Sequence, residues 1–152
     1  MTFPSSEFAF EPMNEPLRLR IKNSFEAIPP ANEAVANFLE QRQASSGVIY
    51  LATLAIEELV TNCVKYGYDD KLEHEIEIDV AVVDGLMRLT VSDDGHAFNP
   101  LEVPEPDTDL PIEDRQVGGL GIHLLRQLAD QMSYERREGR NRVTLTKGIA
   151  GN

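Results

Sequence analysis

Five short stretches of the chain alternate hydrophobic and polar residues, and this period of two predicts five β-strands. The stretches cover residues 17–21, 76–82, 87–91, 132–138 and 142–147. Asp84-Gly85 is typical of a tight hairpin turn between the second and third strands, and we expect Gly139-Arg140-Asn141 to form the turn between the last two. Hairpins therefore join two of the four pairs of consecutive strands, which favours antiparallel pairing.

Three other segments place apolar residues three and four positions apart, which predicts helices. The first helix follows Pro29-Pro30 and ends near Gln43, the second covers 48–66 and ends at Gly67, and the third covers 122–129. Since the strands cluster in hairpins and do not alternate with single helices, we expect an α+β fold. The predicted architecture is a two-layer α/β sandwich with a mainly antiparallel sheet.

Length and composition narrow the class of protein. A chain of 152 residues fits one domain, and its net charge of -12 argues against a protein that coats nucleic acid or binds an anionic membrane. We predict no membrane span, which would need ~20 apolar residues, and no secretory signal at the N-terminus. The single cysteine, Cys63, excludes an internal disulfide and a cysteine-based zinc cluster, so we expect a cytoplasmic protein.

The negative charge is concentrated in the middle of the chain. Residues 69–114 contain fifteen acidic and only two basic residues. Within and just beyond this region, residues 94–117 form a long, proline-rich stretch without periodicity. A loop of this length in a compact domain usually has a function, such as covering a ligand.

Glu58 and Asn62 are the first pair of residues that could carry chemistry. They lie one helical turn apart, at the edge of the stripe of the second helix that we expect to be buried, whereas Glu57 should face solvent. A carboxylate and an amide at that position can share a water or a hard cation, and the carboxylate can accept a proton. The alternative is a surface acid beside an ordinary helix amide.

Asp93 and Gly95 form the second candidate, at the end of the third strand. A carboxylate that follows a buried strand and precedes a glycine turn can accept a hydrogen bond from a ligand amino group. The alternative is a common Asp-Gly turn.

The third candidate is the segment Gly118-Gly119-Leu120-Gly121-Ile122, which leads into the third helix. Glycines let the backbone approach an anion closely, and the free N–H groups at the start of a helix can bind it. The segment is neither a P-loop nor the dinucleotide-binding fingerprint. The alternative is a flexible lead-in to the helix.

Together, the three segments resemble the ATP-binding boxes of the GHKL superfamily, which contains gyrase, heat-shock chaperone, histidine kinase and mismatch-repair ATPases. Residues 58–62 resemble its N box, residues 93–100 its G1 box and residues 118–122 its G2 box. Within this superfamily, the chain is most similar to one branch, the anti-sigma-factor serine kinases of bacterial partner-switching systems. The similarity lies in its small size and in the sequences of residues 61–68 and 134–141. The resemblance covers residues 17–147, and the absence of a phosphoacceptor domain before the boxes disfavours a histidine kinase.

This resemblance implies a Bergerat-type ATP-binding fold with three helices on one face of the sheet. It divides the chain into an N-terminal tail or arm at 1–16, an ATPase domain at 17–147 with an ATP lid at 94–117, and a C-terminal tail at 148–152. It also implies roles for individual residues. Asn62 would hold Mg²⁺, Glu58 would act as the general base, and Asp93 would bind the adenine amino group beside Gly95. The phosphates would contact a further set of residues, namely Arg115, Gly118, Gly119, Leu120, Gly121 and Ile122.

The implied function is an anti-sigma regulatory factor and Mg-ATP-dependent protein serine/threonine kinase. It would phosphorylate a small antagonist protein of the STAS type, sequester a sigma factor or an analogous regulator, and form a homodimer. One alternative is a nucleotide-gated protein-binding module without significant kinase activity. A further alternative is the ATPase part of a larger assembly.

Overall fold

A computed structural model describes residues 15–104 and 119–151. They form a five-stranded antiparallel sheet and three α-helices, which confirms the predicted α+β fold. The strands are β1 (Leu17–Lys22), β2 (Glu75–Val83), β3 (Leu86–Asp93), β4 (Gln131–Arg137) and β5 (Arg140–Gly148). The helices are α1 (Ile28–Gln41), α2 (Ser46–Tyr66) and α3 (Gly119–Leu128), and short 3-10 turns cover Phe25–Ala27 and Pro100–Glu102. Outside the described residues lie 1–14 of the expected N-terminal arm, 105–117 of the expected lid, which include Arg115, and the predicted phosphate contact Gly118.

The strands lie in the order β1-β2-β3-β5-β4, and every neighbouring pair is antiparallel. Asp84 and Gly85 join β2 to β3 with φ values of 54° and 75°, as the two central residues of a tight primed turn require. The pairing register places Asp93, the last residue of β3, opposite Asn141 on β5. The end of β3 is therefore held next to β5 before any side chain contributes.

The position of the last hairpin turn was predicted wrongly. The turn consists of Glu138 and Gly139, which have φ values of 53° and 76°, and Arg140 and Asn141 already belong to β5. A two-residue turn needs positive φ at both central positions, and it places Arg137 directly opposite Arg140. Asn141 consequently shares the inward-facing side of β5 with the buried residues Val143 and Leu145.

Local signals set the boundaries of the first two helices. Two prolines stand in the first turn of α1, where the missing N–H groups cost nothing. The Ser45 hydroxyl caps α2 by accepting a hydrogen bond from the Val48 N–H at 3.2 Å, and Gly67 follows its last residue. The third helix begins at Gly119, three residues earlier than its apolar pattern predicted.

The core lies between the three helices and one face of the sheet. Eight residues of α2 are buried, and α2 packs against α1, α3 and β3. Among the described residues, α2 is the one helix whose length and mean hydropathy of 1.4 would suffice to cross a membrane, whereas the sequence pattern predicts no membrane span. Its apolar residues form the centre of the core, which accounts for this hydropathy.

Candidate functional site

A cavity of about 180 Å³ opens between the C-terminal half of α2 and the ends of β3 and β5. Its walls are mostly apolar, and a few polar side chains converge on it, which is the usual character of a small-molecule site. The residues that line it are Leu59, Asn62, Cys63, Tyr66, Gly67, Val91, Asp93, His96, Ala97, Phe98, Asn141 and Val143. We refer to it below as the central cavity.

Asp93 provides the carboxylate of the central cavity. One of its oxygens, Oδ1, accepts hydrogen bonds from the Gly95 N–H at 2.9 Å and from the Asn141 side-chain amide at 3.0 Å. Among the described residues, no hydrogen bond reaches the other oxygen, Oδ2. The protein thus holds Asp93 by one oxygen, and the second can accept a hydrogen bond from a ligand in the cavity.

Asn141 connects Asp93 to the loop that follows it. Only 4% of Asn141 is exposed, and its amide group also donates to the His96 carbonyl at 2.7 Å. Its carbonyl oxygen accepts from the Tyr134 hydroxyl at 2.6 Å, the Arg136 guanidinium at 3.1 Å and the Phe98 N–H at 3.2 Å. A buried amide with every polar atom satisfied is a rigid element, so Asn141 fixes one wall of the cavity.

Asn141 has no predicted role, because the sequence pattern places it in a turn. A signal was available in the alternation of β5. Counting back in steps of two from Leu145 and Val143 leads to position 141, so a strand extended by two residues would have shown a polar side chain facing the core.

Gly95 lets the loop after β3 pack directly on the end of α2. A Cβ atom at this position would lie 2.7 Å from the Gly67 carbonyl oxygen and 3.1 Å from Asp93 Oδ1. The next residue, His96, donates its N–H to the same Gly67 carbonyl at 2.8 Å. The glycine is therefore required by this close backbone contact, and whether it also admits a ligand stays a prediction.

Cys63 contributes an uncharged side chain to the wall of the cavity on the α2 side. Burial, together with the nearby Asp93 carboxylate, raises the pKa of the Cys63 thiol to about 12, so the side chain is an uncharged part of the apolar wall. Tyr68 donates its hydroxyl to Asp94 at 2.7 Å and stacks on His74 with ring centroids 3.7 Å apart. These contacts attach the segment after α2 to the loop after β3.

Glu58 and Asn62 lie on the same side of α2, as their spacing predicted, and Glu57 is exposed. Asn62 lines the central cavity, whereas Glu58 lies one turn further from it. Partial burial raises the pKa of the Glu58 carboxyl, and the negative charge of Glu57 adds to this effect while Lys65 opposes it. A carboxylate with a raised pKa is a better proton acceptor near neutral pH.

The start of α3 lies beside Glu58. Gly121 directly contacts the Glu58 side chain, because a Cβ atom built on Gly121 would fall 1.9 Å from Glu58 Oε1. Ile122 is fully buried in the core, and Leu120 is 58% exposed. Of the predicted phosphate contacts, the described residues are Gly119 to Ile122, whose backbone N–H groups stand at the beginning of a helix.

The fold thus gathers Glu58, Asn62, Asp93, Gly95 and Gly121 around one face of α2. A flat apolar ring with an amino group suits the central cavity, and an anion suits the start of α3. Nucleotides combine both features.

Comparison with known proteins agrees with this geometry. The sequence pattern of the histidine kinase-like ATPase domain matches residues 21–147. This chain belongs to that family, in the branch of the anti-sigma serine kinases. ATP use is a property of the ATPase family to which it belongs.

Several members of the histidine kinase-like ATPase family resemble the chain over most of its length. The serine/threonine-protein kinase BtrW of Bordetella bronchiseptica is 28% identical over 70% of this chain and 75% of its own. The anti-sigma F factor of Clostridium botulinum is 30% identical over 77% of this chain and 82% of its own. The serine-protein kinase RsbW of Staphylococcus aureus is 25% identical over 88% and 86%.

Two solved structures share the fold of this chain. The structure of the RsbU and RsbW domains of Rv1364c from Mycobacterium tuberculosis superimposes with a TM-score of 0.66 at 20% identity, covering 90% of this chain and 32% of that longer chain. The SiaB–SiaC complex from Pseudomonas aeruginosa gives a TM-score of 0.55 at 15% identity, covering 98% of this chain and 99% of the matched one.

Proposed function

We propose that this chain is an ATP-dependent protein serine kinase that phosphorylates a small antagonist protein and, in turn, binds a sigma factor or an analogous regulator. The observation that carries the proposal is the position of Asp93. Asp93 lines an apolar cavity and has one carboxylate oxygen that no described residue bonds, and the Glu58–Asn62 pair lies on the adjoining helix α2, where Asn62 lines the same cavity. The names of the curated relatives support the same activity.

The central cavity suits adenine because of the hydrogen bond that Asp93 offers. Adenine presents an exocyclic amino group, which could donate to Asp93 Oδ2, and the lining residues Leu59, Val91 and Val143 would contact its apolar ring. Guanine presents a carbonyl oxygen at the equivalent position, and this acceptor would face the carboxylate without a proton between them. We therefore expect the site to prefer ATP over GTP.

The residues of the site also suit a magnesium ion held mainly by phosphate and water. The described residues contain no group of three or more His, Cys, Asp or Glu side chains that could hold a metal. Mg²⁺ commonly keeps several waters and takes one or two protein oxygens beside the phosphates. Asn62 would supply such an oxygen, and the ion would neutralise the charge that develops on the phosphates during transfer.

Glu58 is the residue that we assign to proton transfer. The serine hydroxyl of the antagonist would donate its proton to the Glu58 carboxylate as its oxygen attacks the terminal phosphorus of ATP, and ADP would leave. The raised pKa of Glu58 favours this acceptance. The start of α3, next to Glu58, would provide backbone N–H groups for the phosphates.

The partner proteins follow from the proposed activity. We propose a STAS-type antagonist as the phosphoacceptor, and a sigma factor or another regulator as the second partner. The anti-sigma F factor relative supports this choice by its name. We further propose a homodimer in the cytoplasm, a compartment that fits the single free cysteine, and the dimer is checked by light scattering with and without ATP.

The test compares two neighbouring carboxylates. The purified chain is incubated with Mg-ATP labelled at the γ-phosphate and with STAS-type antagonists, and phosphoserine is quantified. We expect Glu58→Gln to lower the transfer rate by ~10²–10⁴-fold, the usual size of a general-base contribution. The exposed neighbour provides the matched control, since Glu57→Gln should keep the rate within about threefold.

Nucleotide binding is measured in parallel, because it separates the two main interpretations. Glu58→Gln should bind ATP about as tightly as the parent chain. If the parent binds ATP and regulates its partner but labels no serine on any antagonist, the kinase proposal is wrong. The chain would then be a nucleotide-gated binding module.

A further inference from the structure

Gly121 lies so close to the Glu58 side chain that any side chain at position 121 would overlap it in its present rotamer. A Cβ atom at position 121 would be 1.9 Å from Glu58 Oε1, 2.1 Å from Cδ and 2.7 Å from Cγ. Because Cγ is involved as well as the carboxylate, turning the carboxylate about its last bond cannot relieve the overlap. The whole Glu58 side chain would have to adopt another rotamer.

The backbone at Gly121 does not itself require glycine. The residue lies in α3 with ordinary helical geometry, a conformation that alanine adopts readily. A glycine inside a helix is less favourable than alanine, by about 1 kcal/mol. A compensating contact is therefore expected, and the close approach of Glu58 provides one.

We infer that Gly121 is a positioning residue for Glu58. Its missing side chain creates the space that keeps the Glu58 carboxylate in its rotamer beside the start of α3. The inference rests on the proposed function only for the role of Glu58 as the base, since the contact itself is independent of catalysis. It differs from the role that the family resemblance implies for Gly121, which is a contact with phosphate.

The two roles predict different patterns in a double-mutant cycle. If Gly121 makes room for Glu58, the effect of Gly121→Ala must depend on the residue at position 58. If Gly121 serves only the phosphates, the effect must be the same whatever residue occupies position 58, and it must appear in nucleotide affinity.

The first experiment measures thermal unfolding of four full-length chains without nucleotide: the parent, Gly121→Ala, Glu58→Ala and the double variant. In the parent background, we expect Gly121→Ala to lower Tm by roughly 1–3 °C, because the cost of moving the Glu58 side chain out of its rotamer exceeds the helix gain of alanine. In the Glu58→Ala background, the space is free, and the same change should raise Tm by roughly 1–3 °C because alanine favours the helix.

The matched control is Gln127→Ala, an exposed position on the same helix. Its effect on Tm should be equal in both backgrounds, because Gln127 is exposed and lies between one and two helical turns beyond Gly121 on α3. An effect of Gly121→Ala that is likewise equal in both backgrounds would overturn the inference.

The second experiment measures phosphoryl transfer and ATP affinity. Gly121→Ala should slow transfer by ~10–100-fold through misplacement of the base, with the Kd for ATP within about threefold of the parent value. Glu58→Asp shortens the side chain by one methylene, so it should slow the parent but speed up the Gly121→Ala chain. A loss of ATP affinity with no rescue by aspartate would instead assign Gly121 to the phosphates.

The two experiments also separate this inference from the proposed function. If no variant, including the parent, phosphorylates an antagonist, the kinase proposal fails. The Tm cycle still decides whether residues 58 and 121 are coupled.

Discussion

The two ends of the candidate site are held in place by different forces. At the Asp93 end, buried hydrogen bonds fix the carboxylate, and Asn141 connects it to β4 and to the loop after β3. At the Glu58 end, the carboxylate is positioned by packing against Gly121, and partial burial raises its pKa.

This difference matches the chemistry that we propose for each end. Binding a base requires one geometry that does not change, and a satisfied buried network provides it. Accepting a proton requires a carboxylate that is less well solvated, and a network of hydrogen bonds to Glu58 would lower its pKa and weaken it as a base. The Asp93 end thus has a rigid geometry suited to binding, and the Glu58 end has a carboxylate that can accept a proton.

Asp93→Asn tests the rigid end most directly. An asparagine amide that faces the adenine amino group would replace an acceptor with a donor, so we expect ATP affinity to fall by ~100-fold, or about 2.7 kcal/mol. Isothermal titration calorimetry with Mg-ATP measures this loss. An affinity within threefold of the parent value would show that Asp93 does not bind the base.

Asn141→Leu tests whether the network itself holds that end. The substitution keeps the size of the side chain but leaves the Tyr134 hydroxyl, the Phe98 N–H and the His96 carbonyl without their partner. We expect the free energy of unfolding to fall by about 1–3 kcal/mol, and ATP affinity to fall as well. Urea denaturation measures the stability.

A comparison with Tyr134→Phe sharpens this result. That change removes a single donor to Asn141 and should cost about 1 kcal/mol. Equal losses for the two variants would contradict the role of Asn141 as the centre of the network.

Glu58→Gln tests the reactive end through its pH dependence. Because the pKa of Glu58 is raised in the folded chain, the folded state binds this proton more tightly than the unfolded state does, and stability falls as the pH rises from the ordinary value of 4.5 through the raised one. Glutamine removes this penalty without changing the shape of the side chain. We expect Tm to rise by about 1–2 °C at pH 7–8, since the half-exposed charge is screened by solvent.

The gain in Tm should disappear below about pH 4.5, where the parent carboxyl is protonated in both states. Differential scanning calorimetry over pH 4–8 checks the trend. A gain that stays constant across this range would mean that the charge of Glu58 is not its source.

Local patterns along the chain were enough to predict the elements and to select candidate site residues, several of which the fold brings together. Alternation and helical spacing predicted all five strands and three helices, because side-chain direction repeats every two residues in a strand and every 3.6 in a helix. The same rule placed Glu58 and Asn62 on one side of α2, with Glu57 in solvent. The three segments and their order also indicated the family.

The partners of Asp93 and Glu58 were decided only by the tertiary structure. Asn141 bonds to Asp93 across 48 positions in the chain, and the contact depends on which strand pairs with β3 and on a turn that ends two residues earlier than predicted. Gly121 meets Glu58 because α3 packs on α2. The sequence indicated a phosphate contact at this glycine, and the packing of the two helices shows that its missing side chain also leaves room for Glu58. Neighbours along the chain set the elements, whereas contacts between distant segments arise when the core packs and cannot be read from local periodicity.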